Sequence, residues 1–251
     1  MSLDLHRRTD ELSPLGARWP GFEQLSGWAI YTLPFSSGDI LGLRVLPISD
    51  FAPYRSVWHR DPAGDWRVYV DGPALEIGCP RWWGPALKAA ALATIGIEWT
   101  GPQTLRVTMS APSLAWTLTL SERPTEAAMN RMGSVMPAWT WKRRPLRAMR
   151  ELMAHRGLSL GRIRLDGLAP AGMPIVLMPD LVYGVEASHA ELDDVDLGPI
   201  TKAASEPRVG AFPFPVRGVL AIGDFRARIE DEEEYRALVD RYRAFRPAEA
   251  A

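Results

Sequence analysis

The stretch Ser56-Val57-Trp58-His59-Arg60-Asp61-Pro62-Ala63-Gly64-Asp65-Trp66-Arg67-Val68-Tyr69-Val70-Asp71 constrains the fold more than any other part of this chain. Two runs rich in aromatic and β-branched residues flank a Pro-Ala-Gly turn. Proline pre-sets φ for a type I turn, and glycine takes the left-handed position that closes a three-residue loop. The segment therefore predicts a β-hairpin with Asp61 facing Asp65, Arg60 facing Trp66, Trp58 facing Val68 and Ser56 facing Val70. Side chains alternate across a strand. Tyr54, Trp58, Trp66, Val68 and Val70 then share an apolar face, and Arg55, Val57, His59, Asp61, Arg67, Tyr69 and Asp71 share the opposite one.

The rest of the chain extends this β pattern. Strand signals fall at Gly27 to Leu33, Asp39 to Leu46, from about Ala93, Thr104 to Met109, Leu114 to Leu120, Leu160 to Leu168, Met173 to Met178, Leu181 to Ala187 and Val216 to Ile229. In the second of these, Ile40, Gly42 and Arg44 alternate with Leu41, Leu43 and Val45. The alanines after Pro85 also favour helix, which leaves the turns before Ala93 open; elsewhere helices are expected in an insertion and at the C-terminus. Pro124 opens one helix through Met132, and Pro145 opens another that runs to His155, with Gly157 as its C-cap. Leu146, Met149, Leu152 and Met153 form the apolar stripe expected of the second. The acidic run Glu230 to Glu234 suits the start of a C-terminal helix. The expectation is a mainly β protein: a lipocalin-like antiparallel barrel, read either as one unit or as two half-barrels. It has a leader over 1–26, a barrel domain over 27–229 with a helical insertion at 124–157, and a C-terminal helix and tail over 230–251. The Pro170-Ala171-Gly172 turn echoes Pro62-Ala63-Gly64, which is compatible with two related half-barrels.

Composition narrows the function classes. A net charge of −1 argues against an electrostatic nucleic-acid binder. The one cysteine, Cys79, excludes an intramolecular disulfide and fits a reducing compartment. The charged N-terminus has no apolar signal core, and the run Ala86 to Ile97 is too short to span a bilayer. These features predict a cytoplasmic location. No glycine fingerprint for dinucleotides, no P-loop and no G-x-S-x-G elbow occurs. The four histidines are isolated in sequence, so neither a metal site nor a cofactor is expected.

Three constellations remain. On the hairpin's polar face, His59, Asp61 and Tyr69 offer an acid/base set, with Arg67 as an anion-stabilising ligand residue; the competing reading is a solvated outer face. Trp58, Trp66, Trp99 and Trp116 offer aromatic walls for an apolar ligand, against ordinary core. Trp139, Trp141, Lys142, Arg143 and Arg144 join interfacial aromatics to a basic cluster, a pattern for peripheral contact with anionic membranes, against a solvated connector.

The strand succession, the Trp58-His59-Arg60-Asp61 hairpin with Gly64 and Trp66, and the second strand set after a helical insertion resemble the lipocalin-like barrels of the carotenoid hydratase (hydroxyneurosporene synthase) and AttH type. That resemblance spans about Gly27 to Ile229. It implies a barrel enclosing a lipid, isoprenoid or polyketide-like molecule, with hydration, cyclisation or isomerisation that needs no cofactor. A non-catalytic lipid or pigment carrier is the alternative, and a scaffold with a filled core a third. Trp99-Thr100-Gly101-Pro102 is also similar to a turn in acetoacetate decarboxylase-like barrels, but that family needs a Schiff-base lysine and only Lys88 comes near a strand.

Overall fold

The computed structural model describes residues 3–243. The predicted hairpin forms as strands β3 and β4 in the count below, with the expected register: Arg60 faces Trp66, Trp58 faces Val68, and Ser56 faces Val70. Gly64 sits at φ +102°, and Asp61 Oδ1 accepts from the Asp65 amide at 3.0 Å, closing the loop.

In chain order the strands are β1 (Phe22–Pro34), β2 (Ile40–Ile48), β3 (Tyr54–Arg60), β4 (Trp66–Asp71), β5 (Ala89–Leu92), β6 (Ile95–Trp99), β7 (Thr104–Ser110), β8 (Ser113–Ser121), β9 (Asp166–Leu168), β10 (Pro174–Leu192), β11 (Val195–Asp196), β12 (Arg208–Val209), β13 (Phe212–Pro213) and β14 (Val219–Arg228). The helices are α1 (Leu5–Asp10), α2 (Pro80–Trp83), α3 (Pro124–Ser134), α4 (Arg144–Gly157) and α5 (Glu232–Tyr242). One curled sheet runs β5-β4-β3-β2-β1-β14-β10-β8-β7-β6 and forms a half-barrel, with β9 and β11 pairing on β10. All pairs in it are antiparallel except β4 with β5. Strands β5 and β6 stand at opposite ends of the sheet order yet are joined by Ala93 and Thr94 alone, so the chain itself draws the two ends together. Arg55 of β3 donates to the Ile95 carbonyl of β6 at 3.1 Å across that seam.

The curl has a local cause. Gly27 of β1 faces Gly223 of β14, and both flanking pairings are irregular there: β1 with β2 between Ser26 and Trp28, β10 with β14 between Pro179 and Leu181. A Cβ on Gly27 would stand 2.0 Å from the Val45 carbonyl oxygen, and one on Gly223 would stand 2.1 Å from that of Met178. Only glycine permits this backbone approach, and bulges bend the strands that carry them.

The two faces of the sheet are buried differently. The concave face packs on itself: Trp28, Ile30, Leu41, Val57, Leu105 and Trp116 belong to one side-chain cluster drawn from both arms of the sheet. The convex face is roofed by connecting segments. Glu23, 2 % exposed, accepts from Arg81 Nη2 at 2.5 Å and Trp82 Nε1 at 3.0 Å, and so clamps α2 with Trp82 and Trp83 against the sheet. Asn130 pairs with both the amide (2.8 Å) and the carbonyl (2.9 Å) of Val182, fixing α3 on β10. Arg147 Nε to Asp166 Oδ2 (2.6 Å) and the Leu165 amide to Glu151 Oε1 (2.6 Å) anchor α4.

Several local expectations shift. The leader carries α1, whose Leu5 is fully buried in the concave core. Residues 160–165 form no strand, although the Leu160 and Leu165 carbonyls accept from the Val216 and Leu177 amides, and only β9 remains of the expected Leu160 to Leu168 strand. The two strands expected over 173–187 are a single long one, because a bulge rather than a turn absorbs Pro179. On α4, Met149 and Leu152 are exposed while Ala154 is buried, so the apolar stripe is rotated toward the sheet. The C-terminal tail, residues 244–251, lies outside the described residues.

Candidate functional site

The polar face of the β3–β4 hairpin resolves into ion pairs. His59 is buried, and its Nε2 lies 2.7 Å from Oδ1 of Asp39 in the β1–β2 turn, not from Asp61. Asp61 instead accepts from Arg67 Nη1 at 2.7 Å. Burial pushes the Asp61 carboxyl up, but the hydrogen bonds from Arg67 and the Asp65 amide outweigh it and hold the pKa below the usual value. Tyr69 is half-buried against the concave core, and burial raises its phenol above the ordinary range. Arg67 does sit opposite His59, as its register requires, but its guanidinium is engaged by Asp61.

The tryptophans divide between the faces. Trp58 and Trp66 meet edge-on at 6.0 Å on the roofed side, with Trp83 and Phe214 against them. Trp116 is fully buried on the concave side and donates from Nε1 to Ser188 Oγ at 2.9 Å. Trp99, also on that side, stacks on His6 at 5.7 Å and lies 6.1 Å from Trp28. The sheet separates the two pairs, so one ligand cannot touch all four.

Open space lies on the roofed side. A cavity of about 110 Å³ sits between α3, α4 and the convex face of β1, β10 and β14. Its wall on the insertion side is methionine-rich, with Met129, Met132, Met136 and Met153, and its non-aromatic polar residues are Asn130, Arg150, Arg164 and Asp180. Methionine is flexible and polarizable, and suits a surface that must fit an irregular apolar molecule. Arg150 lies over the Trp141 ring at 4.0 Å and donates to Thr140 Oγ1 at 2.7 Å. Burial raises the Asp180 carboxyl and lowers the Arg150 guanidinium from their ordinary values, each opposed by the other's charge. A second cavity of about 60 Å³ adjoins it under Trp58, Trp82 and Trp83. Tyr31, Leu177, Pro179, Phe214 and Ala221 line both. Each space is several times what one water needs.

Trp58, expected to wall a barrel interior, borders the second cavity on the convex side instead, and sequence reasoning missed Arg44, which lines the same cavity. The guanidinium carbon lies 4.2 Å from the centroid of Tyr31, 5.3 Å from that of Trp58 and 5.9 Å from that of Phe214. A signal was present: Arg44 shares its face with Ile40 and Gly42, so a charge is set where the pattern calls for an apolar residue. Cys79 is buried at the same wall, 3.5 Å from Tyr54 Oη and 3.7 Å from Ser56 Oγ. His59, Asp61, Arg67 and Tyr69 line neither cavity, nor do Trp66, Trp99 and Trp116.

The connector between α3 and α4 forms one rim of the cleft. Trp141 points inward and is buried, whereas Trp139 is 58 % exposed and Lys142, Arg143 and Arg144 face solvent. Among the described residues, no helix is long and apolar enough to cross a membrane, and no three His, Cys, Asp or Glu side chains are grouped to hold a metal ion. The chain was compared with protein-family models, curated proteins and solved structures, and none of them matched.

Proposed function

We propose that this protein binds an apolar small molecule, of lipid, isoprenoid or polyketide-like character, in the cleft between the convex face of the sheet and the α3–α4 insertion. The observation that carries this reading is the pair of adjoining, mostly apolar cavities with a methionine-rich wall and a roof of aromatic rings. The site differs from a barrel interior: the concave face is occupied by its own side chains. Turnover by hydration, cyclisation or isomerisation needs a proton donor at the ligand. His59, Asp61 and Tyr69 do not line the cleft, so its geometry favours the carrier reading over turnover by those three residues.

The exposed Trp139 and Val135, beside Lys142, Arg143 and Arg144, support a second element of the proposal. This rim contacts an anionic membrane surface, from which an apolar ligand could partition directly into the cleft.

Titration with dodecanol, a neutral apolar probe, tests the cleft. Trp58, Trp82 and Trp83 should report saturable fluorescence changes. Ala221→Met, which narrows the wall common to both cavities, should weaken binding by about tenfold, the scale of one lost apolar contact. A non-saturable response to dodecanol, farnesol and a naphthol alike would remove the reading.

A further inference from the structure

Arg44 is a partly buried cation with an unusual set of partners. Its Nη1 donates to the carbonyl oxygens of Ile30 at 2.7 Å and Leu43 at 3.1 Å. Among the described residues, Nε and Nη2 make no hydrogen bond, and no carboxylate lies within ion-pair distance. Other buried or partly buried arginines differ in this respect. Arg81 has Glu23 at 2.5 Å, Arg147 has Asp166 at 2.6 Å, and Arg226 has Asp224 at 3.4 Å. Asp224 also borders the second cavity, but its oxygens are engaged by the Leu15 amide, Gln24, Ser26 and Arg226.

The surroundings hold this guanidinium in place without neutralising it. Gly42 leaves it room, since a Cβ there would stand 3.3 Å from Nη1. Tyr31 and Trp58 present ring faces, which attract a cation but leave its edge donors free. A desolvated charge without a counter-ion is costly. Arg44 lines a cavity that adjoins the apolar cleft and shares Tyr31 and Phe214 with its wall. A planar guanidinium fork matches a carboxylate. One guanidinium balances one negative charge, so a phosphate dianion would leave charge unpaired among aromatic rings.

We propose that Arg44 receives the carboxylate of an amphiphilic monocarboxylic acid whose apolar chain lies in the cleft under α3 and α4. This rests on the apolar-ligand reading above and narrows it to one head group.

The test compares dodecanoate, dodecanol and dodecyl phosphate on the full chain, each below its micelle concentration, by tryptophan fluorescence and calorimetry. Wild type should bind dodecanoate about tenfold or more tightly than dodecanol, the scale of a charge-assisted hydrogen bond, and more tightly than dodecyl phosphate. Arg44→Met should lose the preference for dodecanoate over dodecanol; Arg44→Lys should retain part of it. Equal binding of dodecanoate and dodecanol to wild type overturns the head-group assignment while leaving the apolar cleft standing. So does a preference that survives in Arg44→Met. Tighter binding of dodecyl phosphate overturns the choice of a carboxylate. Saturable binding of none of the three overturns the cleft reading and the assignment with it. The wild-type comparison needs no variant, so it decides the matter even if Arg44→Met does not fold.

Discussion

His59 shows how one residue's burial and partner redirect its role. Strand parity places it opposite Arg67, and it is there. Its ring, however, is turned toward Asp39, which ties β3 to the turn that leads into β2. A buried imidazole with one carboxylate partner at 2.7 Å reads here as a tether between strands. His59→Gln should therefore lower stability by about 1–3 kcal/mol, through the buried carboxylate left without its partner. Urea unfolding measures this, and dodecanol affinity should stay unchanged. A variant of native stability that has lost probe binding would restore His59 to the site. Arg44 is the opposite case. It lies in a strand whose alternation was readable, and only its setting among the Tyr31, Trp58 and Phe214 rings distinguishes it from a surface arginine. That setting depends on residues up to 170 positions away in sequence, which a local pattern does not contain.

At the scale of elements, what the sequence made legible was local. The β3–β4 register followed from Pro62, Gly64 and period-two alternation, residue for residue. The helices over 124–134 and 144–157 followed from their prolines and composition. Which face of each distant strand looks inward was not legible. Trp116 and Trp58 both lie on well-marked alternating strands, yet they face opposite sides of the sheet. Their relation is set by the curl at Gly27 and Gly223, and by bulges that periodicity alone does not reveal. The α3–α4 connector carries a prediction of its own. It exposes Trp139 next to Lys142, Arg143 and Arg144. Each basic residue near an anionic surface contributes about 1 kcal/mol. Replacing all three with Gln should lower affinity for phosphatidylserine vesicles by about two orders of magnitude or more, and raised salt should mimic the change. Sedimentation with anionic and neutral vesicles checks this; equal retention on both would remove electrostatic docking from the proposal.

The molecule as a whole is a curled sheet with two unlike sides, and this asymmetry decides where a ligand can act. The concave side joins both arms of the sheet through large, fully buried side chains such as Trp116, Leu41 and Tyr183. Opening it would separate long-range strand contacts and approach global unfolding. Over the first cavity the convex side is roofed by α3 and α4, held mainly by Asn130, Arg147 and Glu151, each through one or two hydrogen bonds to the neighbouring segment. Such a roof opens locally at lower free energy than the sheet. A ligand bound beneath it stabilises the closed form by mass action, about 2.7 kcal/mol at a hundredfold excess over Kd. Hydrogen exchange at short times, with and without saturating dodecanol, should therefore show slowed exchange in α3, α4 and residues 158–165. Exchange in β7 and β8, which carry Leu105 and Trp116, should stay unchanged over the same interval. Protection concentrated in β7 and β8 would put the ligand on the concave side and overturn the assignment of the cleft. Slowed exchange in α3 and α4 that Ala221→Met abolishes would tie the effect to the wall that both cavities share.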